Sequence, residues 1–148
     1  MTLDLNATAI AIAARYAPGQ LTAPTGLNTI RSSVAAPPGA IGPTPCVVVT
    51  PEQGQFETGN GTRTGIQEWW VRFYLDQTSD LERSLPALLK WLSVLMYQHL
   101  TSTTLGGTVA WVKLFSYRVG ILVYGGVDYT GIELTVHTAT NEPWGASA

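Results

Sequence analysis

The residues best able to do chemistry in this chain are two histidines, one cysteine and ten carboxylates. Their spacing assembles no reaction site. His99 ends a leucine-rich run and His137 sits in an alternating one; neither has a His, Cys or carboxylate at metal-ligand spacing, so both read as structural residues. Cys46 has no second thiol to pair with and reads as a small buried apolar residue rather than a reactive one. The acids Glu68, Asp76, Asp80, Glu82, Asp128 and Glu133 are scattered over strand ends and polar faces. Folding could bring two together as a glycosidase-type pair, but nothing in their spacing favours one. There is no Gly-x-Ser-x-Gly elbow. The glycine-rich stretch Gly59-Asn60-Gly61-Thr62-Arg63-Thr64-Gly65 lacks the lysine and the spacing of a phosphate loop and reads as a hairpin tip. The expectation is a protein without catalytic, cofactor-binding or metal-binding residues.

The elements that carry these residues are legible in outline. Residues 4–17 predict an alanine-rich helix capped by Asp4 or Asn6, with Leu5, Ile10, Ile12 and Tyr16 as its apolar side and Pro18-Gly19 as its stop. Residues 18–45 hold six prolines and four glycines, too many for regular structure beyond a short strand between Asn28 and Val34. This crossing reads either as a flexible connector or as an arm lying along a neighbouring subunit. Cys46–Val49 predicts a short buried strand stopped by Pro51, followed by a hairpin of 53–58 and 63 onward about Gly59-Asn60-Gly61. From Glu68 to Asp76 the alternation is clear: Trp69, Val71, Phe73 and Leu75 face a core, and Glu68, Trp70, Arg72, Tyr74 and Asp76 face away. Residues 78–100 predict the main helix, capped by Ser79 or Ser84, with a stripe of Leu81, Leu85, Leu88, Leu89, Leu92, Leu95, Met96 and His99. Three strands follow at 108–116, 117–124 and 127–138, with Gly125-Gly126 as the last turn, and 139–148 is left as a C-terminal arm. The sum is a single α+β domain over 1–148. Its core, 46–138, is a mostly antiparallel sheet with one long helix packed on it, preceded by an N-terminal helix.

Composition says where this domain belongs. Charged residues make up 12% of the 148 residues, against roughly 25% in an average soluble domain, while Trp and Tyr number five and six. Such a surface suits burial against other protein. The aromatics Trp70, Tyr74, Trp111, Tyr124, Tyr129 and Trp144 are the candidate interface residues. A net charge of −2 without a basic stripe argues against direct nucleic-acid binding. Met1-Thr2-Leu3-Asp4 puts an acid where a secretory signal has bases, and the Ala7–Ala14 run is too short to span a bilayer, so no membrane partner is expected. The sequons at Asn6 and Asn60 read as chance matches.

The order of elements resembles the tail terminator and tail-completion proteins of long-tailed bacteriophages. The likeness is carried over residues 40–138 by the strand Glu68–Asp76, the helix Asp80–Leu100 and the turn Leu105-Gly106-Gly107-Thr108-Val109. The turn Gly125-Gly126-Val127-Asp128-Tyr129-Thr130-Gly131 and the strand Ile132–Val136 complete it. The resemblance implies a virion protein of the tail or neck, assembled in the host cytoplasm, which forms a hexameric ring with itself. Such a ring caps the head-proximal end of the tail tube and so contacts the tail-tube protein and a head-completion protein. The long Pro-rich crossing at 18–45 departs from that pattern, which withholds any transfer of N-terminal contacts. A head-side connector or minor tail protein shares much of the element order. From a different class, a small-ligand-binding or enzymatic α/β domain would need a deep pocket lined by His99, His137 or the acids.

Overall fold

The computed structural model describes residues 4–59, 62–101, 104–105 and 108–143, with side chains for all of these except 56–59, 62–64, 99–101 and 141–143. Helix α1 spans Leu5–Ala14, and Asp4 caps it: Oδ1 accepts from the backbone N–H of Ala7 at 2.9 Å. The helix stops earlier than alanine content predicts, and residues 15–17 form turns. Thr8, Ala9, Ile12, Ala13 and Tyr16 are buried, whereas Ile10, 54% exposed, faces away from the core.

The chain then crosses its own sheet. β1 (Ser32–Val34) pairs in parallel with the start of β2 (Cys46–Gly59). Ile30 is buried in the main core, with Leu21, Ala23, Leu27 and Ala35 packed against it. The Pro-rich segment therefore packs on its own subunit at these residues.

β2 runs unbroken past Pro51 and pairs antiparallel with β3 (Thr62–Asp76), with an irregular step between Pro51 and Gly54. The expected strand end at Pro51 is absent for a physical reason. Beyond β1, the outer side of β2 has no partner strand among the described residues, and a proline without an N–H is tolerated on such an edge. The tip at 60–61 lies outside the described residues.

Helix α2 (Leu81–Thr101) is capped by Asp80, not by Ser79 or Ser84: Oδ1 of Asp80 accepts from the N–H of Arg83 at 3.2 Å. Ser84 lies inside the first turn and is buried. The expected stripe is right at Leu88, Leu92 and Leu95, but it misses fully buried Trp91, and Leu85 and Leu89 stay exposed. The side chain of His99 lies outside the described residues.

Among the described residues the last third holds two long strands rather than three. β4 (Trp111–Tyr124) and β5 (Val127–Pro143) form one hairpin. A bulge between Leu114 and Ser116 shifts the alternation by one residue, which makes a single strand look like two in sequence. β5 continues through 139–143 against β3, so these residues belong to the sheet and not to a terminal arm.

The sheet order is β1-β2-β3-β5-β4, antiparallel except for β1. Both helices pack on one face, over Val47, Val49, Trp69, Val71, Phe73, Ile132, Leu134 and Val136. Trp91 meets Phe73 with ring centroids 5.0 Å apart. Its indole N–H finds no hydrogen-bond partner, a cost of about 1–3 kcal/mol. Burying an indole of about 200 Å² returns roughly 5 kcal/mol, so the side chain stays inside. Trp69 does better, donating to Thr138 Oγ1 at 2.9 Å.

Candidate interaction surface

Among the described residues the second face of the sheet carries no helix, and its two ends differ. At the β1 end, Cys46, Val48, Tyr74, Leu122 and Tyr129 form a second apolar cluster, with Val34, Ile41, Tyr124 and Val127 against it. The Pro-rich crossing lies over this end, and the Tyr124 hydroxyl donates to the carbonyl of Pro38. Tyr74 packs edge-on against Tyr129 and Tyr124 at 5.5 and 5.9 Å. Burial pushes the Tyr74 hydroxyl up to about 12 and the Cys46 thiol up to about 11. Tyr74 and Tyr129, expected on an outer surface, are thus packed within the subunit, and Tyr124 is half-buried.

The other end is open and polar-aromatic. The guanidinium of Arg72 lies 4.2 Å over the Trp70 ring and donates through Nε to Glu133 at 2.8 Å. Arg118 Nη2 approaches the same carboxylate at 3.8 Å from β4. Further along, Glu68 Oε1 lies 3.2 Å from His137 Nε2, and the Gln53 amide donates to Glu68 at 3.3 Å. The bulge residue Phe115 stacks flat on the His137 ring, 4.5 Å away at 11°. Glu52 sits beside this group. Local desolvation, a hydrogen bond shared with Glu68 and the charges of Glu68 and Glu133 raise its pKa, with a Trp70 hydrogen bond opposing.

These contacts orient the face more than they stabilise it, since partly exposed ion pairs contribute about 0–1 kcal/mol each. They hold Trp70 half-buried in the middle of the face, while Trp111 is exposed at its border and Phe115 is 64% exposed. Trp144 lies outside the described residues. The sequence pointed to Trp70 and Trp111 but gave no sign of Phe115, because only the bulge turns that ring onto His137. Glu68 is legible as a residue facing away from the core from alternation alone, without its contact to His137.

The space beside the Glu68–His137 contact is small. The hollow at Glu68 and His137, closed by Gln53, Gly54, Gln55 and Ile66, has a volume of about 130 Å³. Small-molecule sites are typically about 300–1,000 Å³. A cleft of about 380 Å³ opens where β3 meets α2, beside Leu27, Pro45, Asp76, Thr78 and Arg83, away from His137. Among the described residues no three His, Cys, Asp or Glu side chains group as a metal site, and no helix is long and apolar enough to cross a membrane.

With this geometry in hand, comparison with known proteins adds no identity: no family profile matches the chain, and no curated protein matches it in sequence.

Proposed function

We propose that this chain is a structural subunit that assembles with copies of itself into a closed ring, acting as a tail terminator at the head-proximal end of a phage tail tube. The observation that carries the reading is the open half of the second sheet face. It displays Trp70, Trp111 and Phe115 on a chain with few charges, while α2, packed on the other face, leaves Leu89 and Tyr97 50% and 65% exposed. A monomer free in water gains nothing from displaying such groups on two sides. A ring subunit needs two different patches, because head-to-tail closure joins unlike surfaces. The element order supports placing that ring in the neck of a long-tailed phage, where it would contact the tail-tube protein and a head-completion protein. Position on the head side of the neck is the nearest competing assignment.

The test is localisation by electron microscopy of particles carrying a labelled copy of this chain. Density for about six copies in a ring between tube and head is the expected result. Label spread along the tube, or absent from the particle, contradicts it. A small-ligand reading would draw on the cleft beside Asp76 and Arg83. A thermal shift with a metabolite panel that Asp76→Ala abolishes would favour that alternative.

A further inference from the structure

Two edges of the sheet are unpaired among the described residues, and they match one another. One is the outer side of β4, from Trp111 to Tyr124. The other is the outer side of β2 beyond β1, from Val49 to Gly59, where residues 52–55 are all exposed. β4 runs opposite to β5, β5 opposite to β3, and β3 opposite to β2, so β4 and β2 are antiparallel. Continuing the sheet from one copy into the next therefore sets an antiparallel pair at the junction.

The charges on the two edges are opposite. β4 carries Lys113 and Arg118 and no acid, whereas the free part of β2 carries Glu52 and Glu57 and no base. Their spacing agrees as well. Lys113 stands across from His137 and Arg118 across from Glu133, four rungs apart. Glu57 stands across from Thr64, and Glu52 lies in the irregular step opposite Glu68, again four rungs apart. Facing Lys113 with Glu57 of the next copy brings Arg118 to Glu52. This register staggers the copies by four rungs, since Lys113 is level with His137 and Glu57, through Thr64, with Asn141. The same stagger sets Trp111 against Gly59 and Ile121 against Val49. The ladder then begins where β4 begins and ends where β1 takes over the edge of β2.

From this match we infer that β4 of one subunit pairs antiparallel with residues 49–59 of β2 in the next copy, and that this strand addition is the ring contact. The inference rests on the ring reading above and names its interface. Free strand edges are an association hazard that soluble chains blunt with charge and bulges. Here the charges do more than repel. Two β4 edges would place Lys and Arg against Lys and Arg, and two β2 edges Glu against Glu. Only the unlike pairing is attractive, which selects head-to-tail growth over a two-fold dimer.

The test uses the full chain with one charge reversed on either edge, Lys113→Glu or Glu57→Lys, and then both together. Sedimentation gives the assembly midpoint of each. Each single variant is expected to assemble at least about tenfold less readily than wild type, because like charges then face each other. The double variant, and an equal mixture of the two single variants, are expected to recover rings, since every junction again joins opposite charges. Recovery also shows that the singles fold. If wild type forms rings and the single variants match it, or if the double variant fails to recover, the strand-addition contact is wrong while the ring stands. A wild-type chain that never assembles overturns both.

Discussion

Replacing Gly131 by alanine is expected to cost far more than replacing its cross-strand partner Gly120, although the two stand opposite each other in the β4–β5 ladder. A Cβ on Gly131 would fall on the carbonyl oxygen of Phe73, well inside contact distance, and 2.7 Å from Leu122 Cδ1. Leu122 could turn aside, but the Phe73 carbonyl belongs to the backbone of a central strand, so relief requires β3 and β5 to separate. Overpacking of this kind costs about 1–3 kcal/mol, and a backbone obstacle puts the value near 3. Reduced unfolded-state freedom returns about 0.4–1 kcal/mol, leaving a net loss of roughly 2–2.5 kcal/mol. For a domain of this size, with about 2–4 °C per kcal/mol, Tm should fall by about 4–10 °C. A Cβ on Gly120 meets only Arg118 Nη1 at 3.6 Å, an ordinary contact. Gly120→Ala should therefore leave Tm unchanged or raise it slightly. Calorimetry of the two variants beside wild type decides the matter. Equal melting of both, or a larger loss at Gly120, refutes the packing assigned to the covered end of the second sheet face.

Two further perturbations probe the same face. With the Cys46 thiol pushed up to about 11 by burial, less than roughly one molecule in a thousand is thiolate near pH 7.5. Alkylation of the native chain should run at least about tenfold slower than after denaturation, and equal rates would place the thiol outside the cluster. Glu52 has a raised folded pKa, so its protonated form contributes stability at acid pH that is lost as pH rises through that value. Glu52→Gln should accordingly melt above wild type near pH 7 and converge with it near pH 3, and a constant gap across that range would remove the Glu52–Glu68 repulsion from the account.

The parts of the fold visible in the sequence are those set by local pattern. The alternation from Glu68 to Asp76 assigned both faces of β3 correctly, except at Tyr74. That residue looks outward by alternation and is buried because the distant segment around Pro38 and Ile41 covers its end of the face. No local signal reports such a cover. The β4 strand was split because the bulge at Phe115 reverses the alternation, and Pro51 looked like a stop because its place on an edge follows only from strand order. Trp91 could have been found: Leu88, Trp91, Leu92 and Leu95 repeat at three- and four-residue steps. The candidate surface was legible in its aromatics, Trp70 and Trp111, and hidden in its contacts. The proximity of Glu68 to His137 and the Arg72–Glu133–Arg118 bridge arise from register between strands far apart in sequence.

The account stands on self-assembly, so the mass of the purified chain in solution is its most direct test. Native mass spectrometry across micromolar concentrations, with and without tail tubes, should show a discrete species of about six subunits that gives way to monomer when Trp70 or Trp111 becomes aspartate. A chain that remains a single subunit under every one of these conditions contradicts it.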